Sequence, residues 1–167
     1  MYSNLVRVAA DGAADKLREL GNGCFIPDIL CGDLDSVSAS TVKFLRSSVI
    51  LKIPDQDSTD FTKCLRTISN KIVENIVALG GLCGRFDHVI GCLNSLSINL
   101  EENPHLRLFL LHSESLVTLL PKGENHIHLD LELCTGKCGL APLGFPVENV
   151  YTDGLKWNLS KSVYFDS

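Results

Sequence analysis

Aspartates recur in this chain where a short apolar run gives way to an amphipathic one. The densest stretch is Pro54-Asp55-Gln56-Asp57-Ser58-Thr59-Asp60-Phe61-Thr62-Lys63. Three carboxylates within six residues repel one another unless a cation sits among them. Capping the helix that follows asks for only one acid, with Ser58 or Thr59 as the cap. Asp33 and Asp35 stand two apart in Gly32-Asp33-Leu34-Asp35-Ser36, so an extended segment points both carboxylates the same way. Asp11 opens a turn with Gly12. Asp87 closes Gly80-Gly81-Leu82-Cys83-Gly84-Arg85-Phe86-Asp87-His88, whose glycines let the backbone come close to a ligand.

Oxygen donors without a paired Cys or His set point to Mg²⁺, which keeps positions open for water and substrate phosphates. Arg85 adds a planar fork suited to phosphate oxygens, and Lys63, in the first helical turn, adds a second cation. There is no Walker A motif and no G-x-G-x-x-G, so phosphates would be held by metal and arginine. Neutralising Asp33 and Asp35 together is expected to leave the fold as stable or more so, because like charges are relieved. Plainer readings stand beside these: a capped helix start at 58–60, a surface ion pair for Arg85, turn glycines at Gly81 and Gly84, and solvated His88, His126 and His128.

The elements that must position these groups follow from periodicity. Strands are predicted over 5–10, 26–31, 49–53, 76–79 and 106–111. Helices are predicted over 13–20, 37–46 and 58–73, with Gly21 stopping the first, and another carries Val89, Ile90, Leu93, Leu96 and Leu100 up to Asn103-Pro104. Each acidic loop follows a strand and precedes a helix. In an open parallel sheet such loops lie along the carboxyl edge, where ligands bind. The period then changes. Residues 115–120 read as a strand, and 126–133 alternate strictly, with Ile127, Leu129, Leu131 and Leu133 on one face, as in a half-buried antiparallel strand. Leu155, Trp157 and Leu159 alternate again. The expected organisation is an α/β domain with a mostly parallel sheet over 1–113 and an all-β domain over 114–167, an incomplete β-sandwich too small to stand without partner strands.

Composition limits the partners. The 167 residues are 45% hydrophobic and 21% charged, with a net charge of −5, and no basic run appears. That describes a folded protein and argues against nucleic acid. No apolar run reaches membrane-spanning length, and the start, Met1-Tyr2-Ser3-Asn4, lacks signal-peptide architecture. Seven scattered cysteines read as mostly buried free thiols in a reducing compartment, which implies the cytoplasm. Cys134 and Cys138 have no second pair at zinc-site spacing.

Taken together, the segments resemble thiamine pyrophosphokinase of the eukaryotic type. The resemblance rests on 10–17, on Gly32 to Ser36, on Pro54 to Leu65, on Gly80 to His88, on Gly139 to Gly144 and on Gly154-Leu155-Lys156-Trp157-Asn158-Leu159. It implies a homodimer that moves a pyrophosphoryl group from ATP to the hydroxyl of thiamine, giving AMP and thiamine diphosphate. Asp33, Asp35, Asp57 and Asp60 would hold Mg²⁺, and Asp33, Asp35, Asp60 and Arg85 would serve catalysis. Asp11, Asp55, Gln56, Asp57, Thr59, Lys63, Gly81, Arg85 and Asp87 would bind the nucleotide. Trp157, Leu155 and Asp87 would bind thiamine, Trp157 by stacking from the partner subunit. The chain departs from the family pattern: Gly12-Ala13 replaces the usual Gly-Gly, a strand and helix before Asp11 are missing, and so are strands after Trp157. It resembles a variant shortened at both ends, with the nucleotide half mostly present. A family member that binds nucleotide, or pairs with a full-length partner, without turnover is the alternative. A metal-dependent phosphate-ester hydrolase is a third reading.

Overall fold

A computed structural model describes residues 5–20, 25–69 and 73–163. Gly21, Cys24 and residues 70–72, where the first helix was expected to stop, a thiol to be buried and the third helix to end, lie outside them. The chain divides into two units, Met1–Asn125 and His126–Ser167.

In the first unit, β1 (Val8–Ala10), β2 (Ile29–Gly32) and β3 (Val49–Lys52) form a parallel sheet in that order. Every residue of β2 is buried, as expected of a central strand covered on both faces. On one face α1 (Ala13–Glu19) and α2 (Ala39–Phe44) pack through Ala14, Val37 and Leu45 onto Ala9 and Leu30. The Ser38 hydroxyl caps α2 by accepting from Thr41 N at 3.3 Å, and it donates to Asp15 of α1 at 2.8 Å. Bonds from Thr41 and Ser38 hold the Asp15 carboxyl below its ordinary range.

On the other face lies α3 (Asp60–Ser69). Its Cys64 packs on Ile29 and Cys31 of this sheet, while the adjacent Leu65 joins Leu96, Leu108 and Leu110. Four consecutive residues of α3, Thr62 to Leu65, are buried. A helix covered all round at its middle is a core helix, not a surface one. What covers its second side is α4 (Phe86–Glu102) with β4 (Asn75–Leu79), β5 (Arg107–His112) and β6 (Ser115–Thr118). β4 and β5 are parallel, and β6 returns antiparallel to β5. α4 stops at Asn103, before Pro104, and the Asn99 amide bonds the Leu106 carbonyl at 2.9 Å, fixing the start of β5.

The expected α/β layout with mostly parallel strands is therefore present, as two three-stranded sheets. β6 pairs within the first unit, and the two compact units meet at 125/126.

The second unit is β-rich but sparse. β7 (Val147–Tyr151) and β8 (Ser160–Val163) form an antiparallel pair with an irregular register. The strand expected over 126–133 is not formed: the segment is irregular, and Ile127, Leu129, Leu131 and Leu133 are exposed. Alternation supplies a face, but a strand also needs a ladder partner and something to cover that face. Leu155, Trp157 and Leu159 likewise do not continue a strand; 154–157 form a bend between β7 and β8, with Gly154 at φ 87°. β7 itself was hidden by the turn residues Gly144 and Pro146 before it.

The cysteines divide. Cys31 and Cys64 are buried and Cys92 is half-buried, but Cys83, Cys134 and Cys138 are exposed, against the expectation of mostly buried thiols.

Leu110 is fully buried where α3, α4 and β5 meet. Leu110→Ala is expected to cost about 2–5 kcal/mol through lost burial and the cavity left behind. Urea denaturation reads this directly; a loss under about 1 kcal/mol would mean the α3–α4 layer is not a packed core.

Candidate active site

Because β1, β2 and β3 run parallel and in register, the residues that follow them emerge at one edge. Asp11 follows β1, Asp33 follows β2 and Asp55 comes shortly after β3. Asp11, Asp33 and Asp35 each offer a carboxylate oxygen within 4.8 Å of the others. Among the described residues, this is the group of three or more such side chains that converges. The convergence does not come from an extended strand end. Leu34, between the two aspartates, adopts φ 66°, so a tight turn brings Asp33 and Asp35 together while Leu34 packs against the α1–α2 core. A left-handed conformation costs a β-carbon residue roughly 1–2 kcal/mol, held here by that packing.

Asp11 is wholly buried. Its Oδ2 accepts from Ser36 N at 3.0 Å and its Oδ1 from Val37 N at 2.9 Å, which pins the Asp33–Asp35 turn over β1. Burial pushes its carboxyl above the ordinary 3.8; the two amides oppose this, and the charges of Asp60 and Asp33 add to the rise. Gly32 makes the close approach possible. A β-carbon there would lie 2.6 Å from Asp11 Cβ and 3.1 Å from Asp60 Oδ1, at a φ of 155°. Sequence reading gave Gly32 no role; its position at the end of β2, directly before the first aspartate, was the available signal.

Asp33 has more partners than charge crowding alone would suggest. It accepts from Asp35 N at 3.3 Å, Gln56 Nε2 at 3.2 Å and Lys63 Nζ at 3.4 Å. The Asp35 amide, and then Lys63, hold its carboxyl below the ordinary value. Neutralising Asp33 therefore removes favourable partners, contrary to the expectation from charge crowding. The strain of crowding falls on Asp11. Lys63 is 3% exposed and donates also to Asp60 Oδ1 at 2.9 Å. Desolvation pulls its ammonium down, but Asp60 and Asp33 outweigh this and leave it raised.

The other predicted residues are placed less centrally. The Thr59 hydroxyl accepts from Thr62 N at 3.2 Å and so caps α3. Asp55 Oδ1 accepts from Asp57 N at 2.9 Å; with the Ser58 hydroxyl foremost, its carboxyl is held low. Asp57 is exposed and is not in the converging group. Gly81 lies against α4, where a β-carbon would sit 3.4 Å from Cys92, an ordinary contact. Arg85 is exposed and paired with Asp87, whose carboxyl its guanidinium holds low. The start of α4 is nonetheless beside the acidic loop: a β-carbon on Gly91 would be 3.6 Å from Thr59 Cγ2. His88 is exposed.

In the second unit Trp157 is 77% exposed, with Lys156 Nζ 4.5 Å from its ring centroid. Its bend is built by polar side chains: Leu155 N donates to Asn158 Oδ1 at 3.0 Å and Leu159 N to Thr152 Oγ1 at 2.7 Å. Leu155 is half-buried.

Chemically, the first-unit cluster is a set of hard oxygen donors, one of them buried and with its carboxyl pushed upward by that burial. Such a set fits a small divalent cation, which would offset the cost at Asp11.

Comparison with known proteins follows the same division. Residues 1–109 match the family described as thiamin pyrophosphokinase, catalytic domain, and 124–166 match its vitamin B1 binding domain. Thiamine pyrophosphokinase 2 of Arabidopsis thaliana is 35% identical over 94% of this chain, and thiamin pyrophosphokinase 1 of Caenorhabditis elegans is 35% identical over 92%. The chain spans 66% and 64% of the length of those two relatives. The crystal structure of yeast thiamin pyrophosphokinase superposes with a TM-score of 0.81 at 27% identity, covering 94% of this chain and 67% of that one. The Bacillus subtilis enzyme shares the fold, with a TM-score of 0.80 at 20% identity.

The titration of Asp11 can be tested without any ion. Its folded value is raised, so the stability linked to it is present below 3.8 and is lost as pH rises through the raised value. Asp33, held low, has the opposite sign: its contribution is present above the ordinary value and is lost as pH falls through the lowered one. Asp11→Asn must turn an amide NH₂ toward the Ser36 or Val37 N–H, at a cost of about 1–3 kcal/mol. That cost should shrink as pH rises from 3.8 upward, because only the parent ionises there. Denaturation at a series of pH values without divalent ions measures it; a pH-independent difference would contradict the raised value.

Proposed function

The chain belongs to the thiamin pyrophosphokinase family, and on that premise we propose that it transfers a pyrophosphoryl group from ATP to the hydroxyl of thiamine. The products are thiamine diphosphate and AMP. The observation that carries this reading is the convergence of Asp11, Asp33 and Asp35 at the carboxyl edge of a parallel sheet. These three residues would hold Mg²⁺, with Asp60 alongside through Lys63. When bound, Mg²⁺ supplies neutralisation of phosphate charge.

The chain's own residues do the rest by positioning. Asp11 fixes the turn that carries Asp33 and Asp35. Gln56 orients Asp33. Thr59 and Asp55 hold the loop that presents Asp57 and Asp60. Arg85 exchanges its Asp87 partner for phosphate oxygens, with which its fork makes paired bonds. The thiamine hydroxyl oxygen bonds to the β-phosphorus as the bond from that phosphorus to the AMP oxygen breaks. Trp157 offers an aromatic face to the thiazolium cation, an interaction worth roughly 0.5–2 kcal/mol, in place of the Lys156 ammonium now over the ring. Leu155, half-buried beside it, adds an apolar contact. The exposed side chains of Leu131, Leu133, Phe145 and Trp157 favour a homodimer, in which a second copy would cover apolar groups of this unit. Buried free thiols at Cys31 and Cys64 suit a reducing compartment such as the cytoplasm, and no helix among the described residues is long and apolar enough to cross a membrane.

One observation favours a second reading. Among the described residues, Pro142 is the one buried residue of the second unit, while Asp11, Asp33 and Asp35 converge in the first. A chain that binds Mg–ATP with little or no turnover would look the same. Purified protein supplied with ATP, Mg²⁺ and thiamine separates the readings. AMP and thiamine diphosphate appearing together, and only with thiamine, supports transfer. Mg–ATP binding without either product supports the second reading. Phosphate release without thiamine would make it a hydrolase.

Arg85→Lys keeps the charge but loses the fork. Mg–ATP affinity should fall roughly tenfold or more, as for a lost charged hydrogen bond. Unchanged affinity by calorimetry would leave Arg85 as a surface partner of Asp87.

A further inference from the structure

A lysine buried in the first turn of a helix needs a reason. Lys63 is 3% exposed, and it lies in the stretch of α3 that is enclosed between the first sheet and α4. Burying an ammonium is costly unless anions surround it. Two do: Asp60 Oδ1 at 2.9 Å and Asp33 Oδ2 at 3.4 Å. These carboxylates come from different loops, one after β2 and one at the start of α3. Asp11 lies within the same group, since Asp60 and Asp33 both act on its charge. Two of the ammonium's three donors are thus committed to carboxylates. A side chain so placed is poorly available to reach out to a phosphate.

We propose that Lys63 is the resident counter-ion of the carboxylate cluster, clamping Asp33 to Asp60 in the ion-free protein and opposing the divalent cation that binds the same carboxylates. This rests on the reading of Asp11, Asp33 and Asp35 as the divalent-cation site. Lys63 is a positioning residue: it acts through Asp33 and Asp60. It has two consequences of opposite sign. Without an ion, it keeps the crowded aspartates compatible with a closed fold. With an ion, its positive charge lowers affinity, because like charges across a few ångströms of protein interact strongly. The site is thereby set to a weaker ion affinity, so that the ion is favoured together with the additional negative charge of a nucleotide's phosphates.

The test uses the full chain without nucleotide and Mn²⁺ as the probe, titrated by calorimetry and by loss of the free-ion electron paramagnetic resonance signal. Lys63→Met keeps an unbranched stem and removes the charge. It is expected to bind Mn²⁺ roughly tenfold or more tighter than the parent, since a nearby like charge is gone. It should also melt at a lower temperature without ion, with the deficit shrinking as Mn²⁺ saturates. Lys63→Arg, which keeps the charge, should stay near the parent affinity. If the Met variant does not fold, Lys63→Gln carries the same expectation. Unchanged or weaker Mn²⁺ binding in the uncharged variant overturns the proposal. So does an unchanged Mn²⁺ affinity with lost Mg–ATP affinity, which would make Lys63 a phosphate contact. A parent that binds no Mn²⁺ overturns the cation site itself, a result separable from the others.

Discussion

Like-charge repulsion among carboxylates brought to one sheet edge is the constraint around which the first unit is built. Asp11 is fully buried, Asp33 and Asp35 lie within reach of it, and Asp60 touches the same glycine. Such a gathering of charges works against stability, and a cation would complete it. The local structure bears the cost in identifiable ways. Two backbone amides are spent on Asp11, a left-handed leucine is held in place by core packing, and Gly32 leaves the space that any β-carbon would fill.

The helix that links the halves of this unit serves the same purpose. One side of α3 reaches the first sheet through Cys64 and the other reaches α4 and β5 through Leu65. Its amino end delivers Asp60 and the buried Lys63 to the cluster. The Thr62 and Ser95 hydroxyls, 3.2 Å apart, tie it to α4, which begins at the arginine-bearing loop. Packing thus ties the helix that carries Asp60 and Lys63 to the helix that begins after Arg85.

Much of this was legible in the residues. The change from alternation to helical spacing marked each strand–helix handover as far as β6, because every element there has a partner that rewards its pattern. The aspartates after successive strands announced a shared edge, since parallel strands leave no other place for them. The route of convergence was not legible: two aspartates with one residue between them suggest an extended pair, and only the packing of Leu34 selects the turn. Lys63, in a first helical turn, read as a second cation for phosphate, and nothing near it in sequence announced its burial. What buries it is the second sheet and α4, contacts made by residues far along the chain. The alternation of Ile127 to Leu133 misled for the reverse reason, as it describes a face without saying what lies against it. The resemblance placed Asp57 with the metal residues; its side chain is exposed and lies outside the converging group.

The second unit shows how far function depends on contacts between segments. Trp157 stands exposed on a bend held by Thr152 and Asn158, a rigid mount for an aromatic face. The converging carboxylates, by contrast, all lie within the first unit. Crystals of the chain grown or soaked with Mn²⁺ and measured at the manganese absorption edge would locate the ion directly. An anomalous peak within bonding distance of Asp11, Asp33 and Asp35 is the predicted result. A peak absent from that cluster, or one found at the exposed Asp57 instead, would contradict the account.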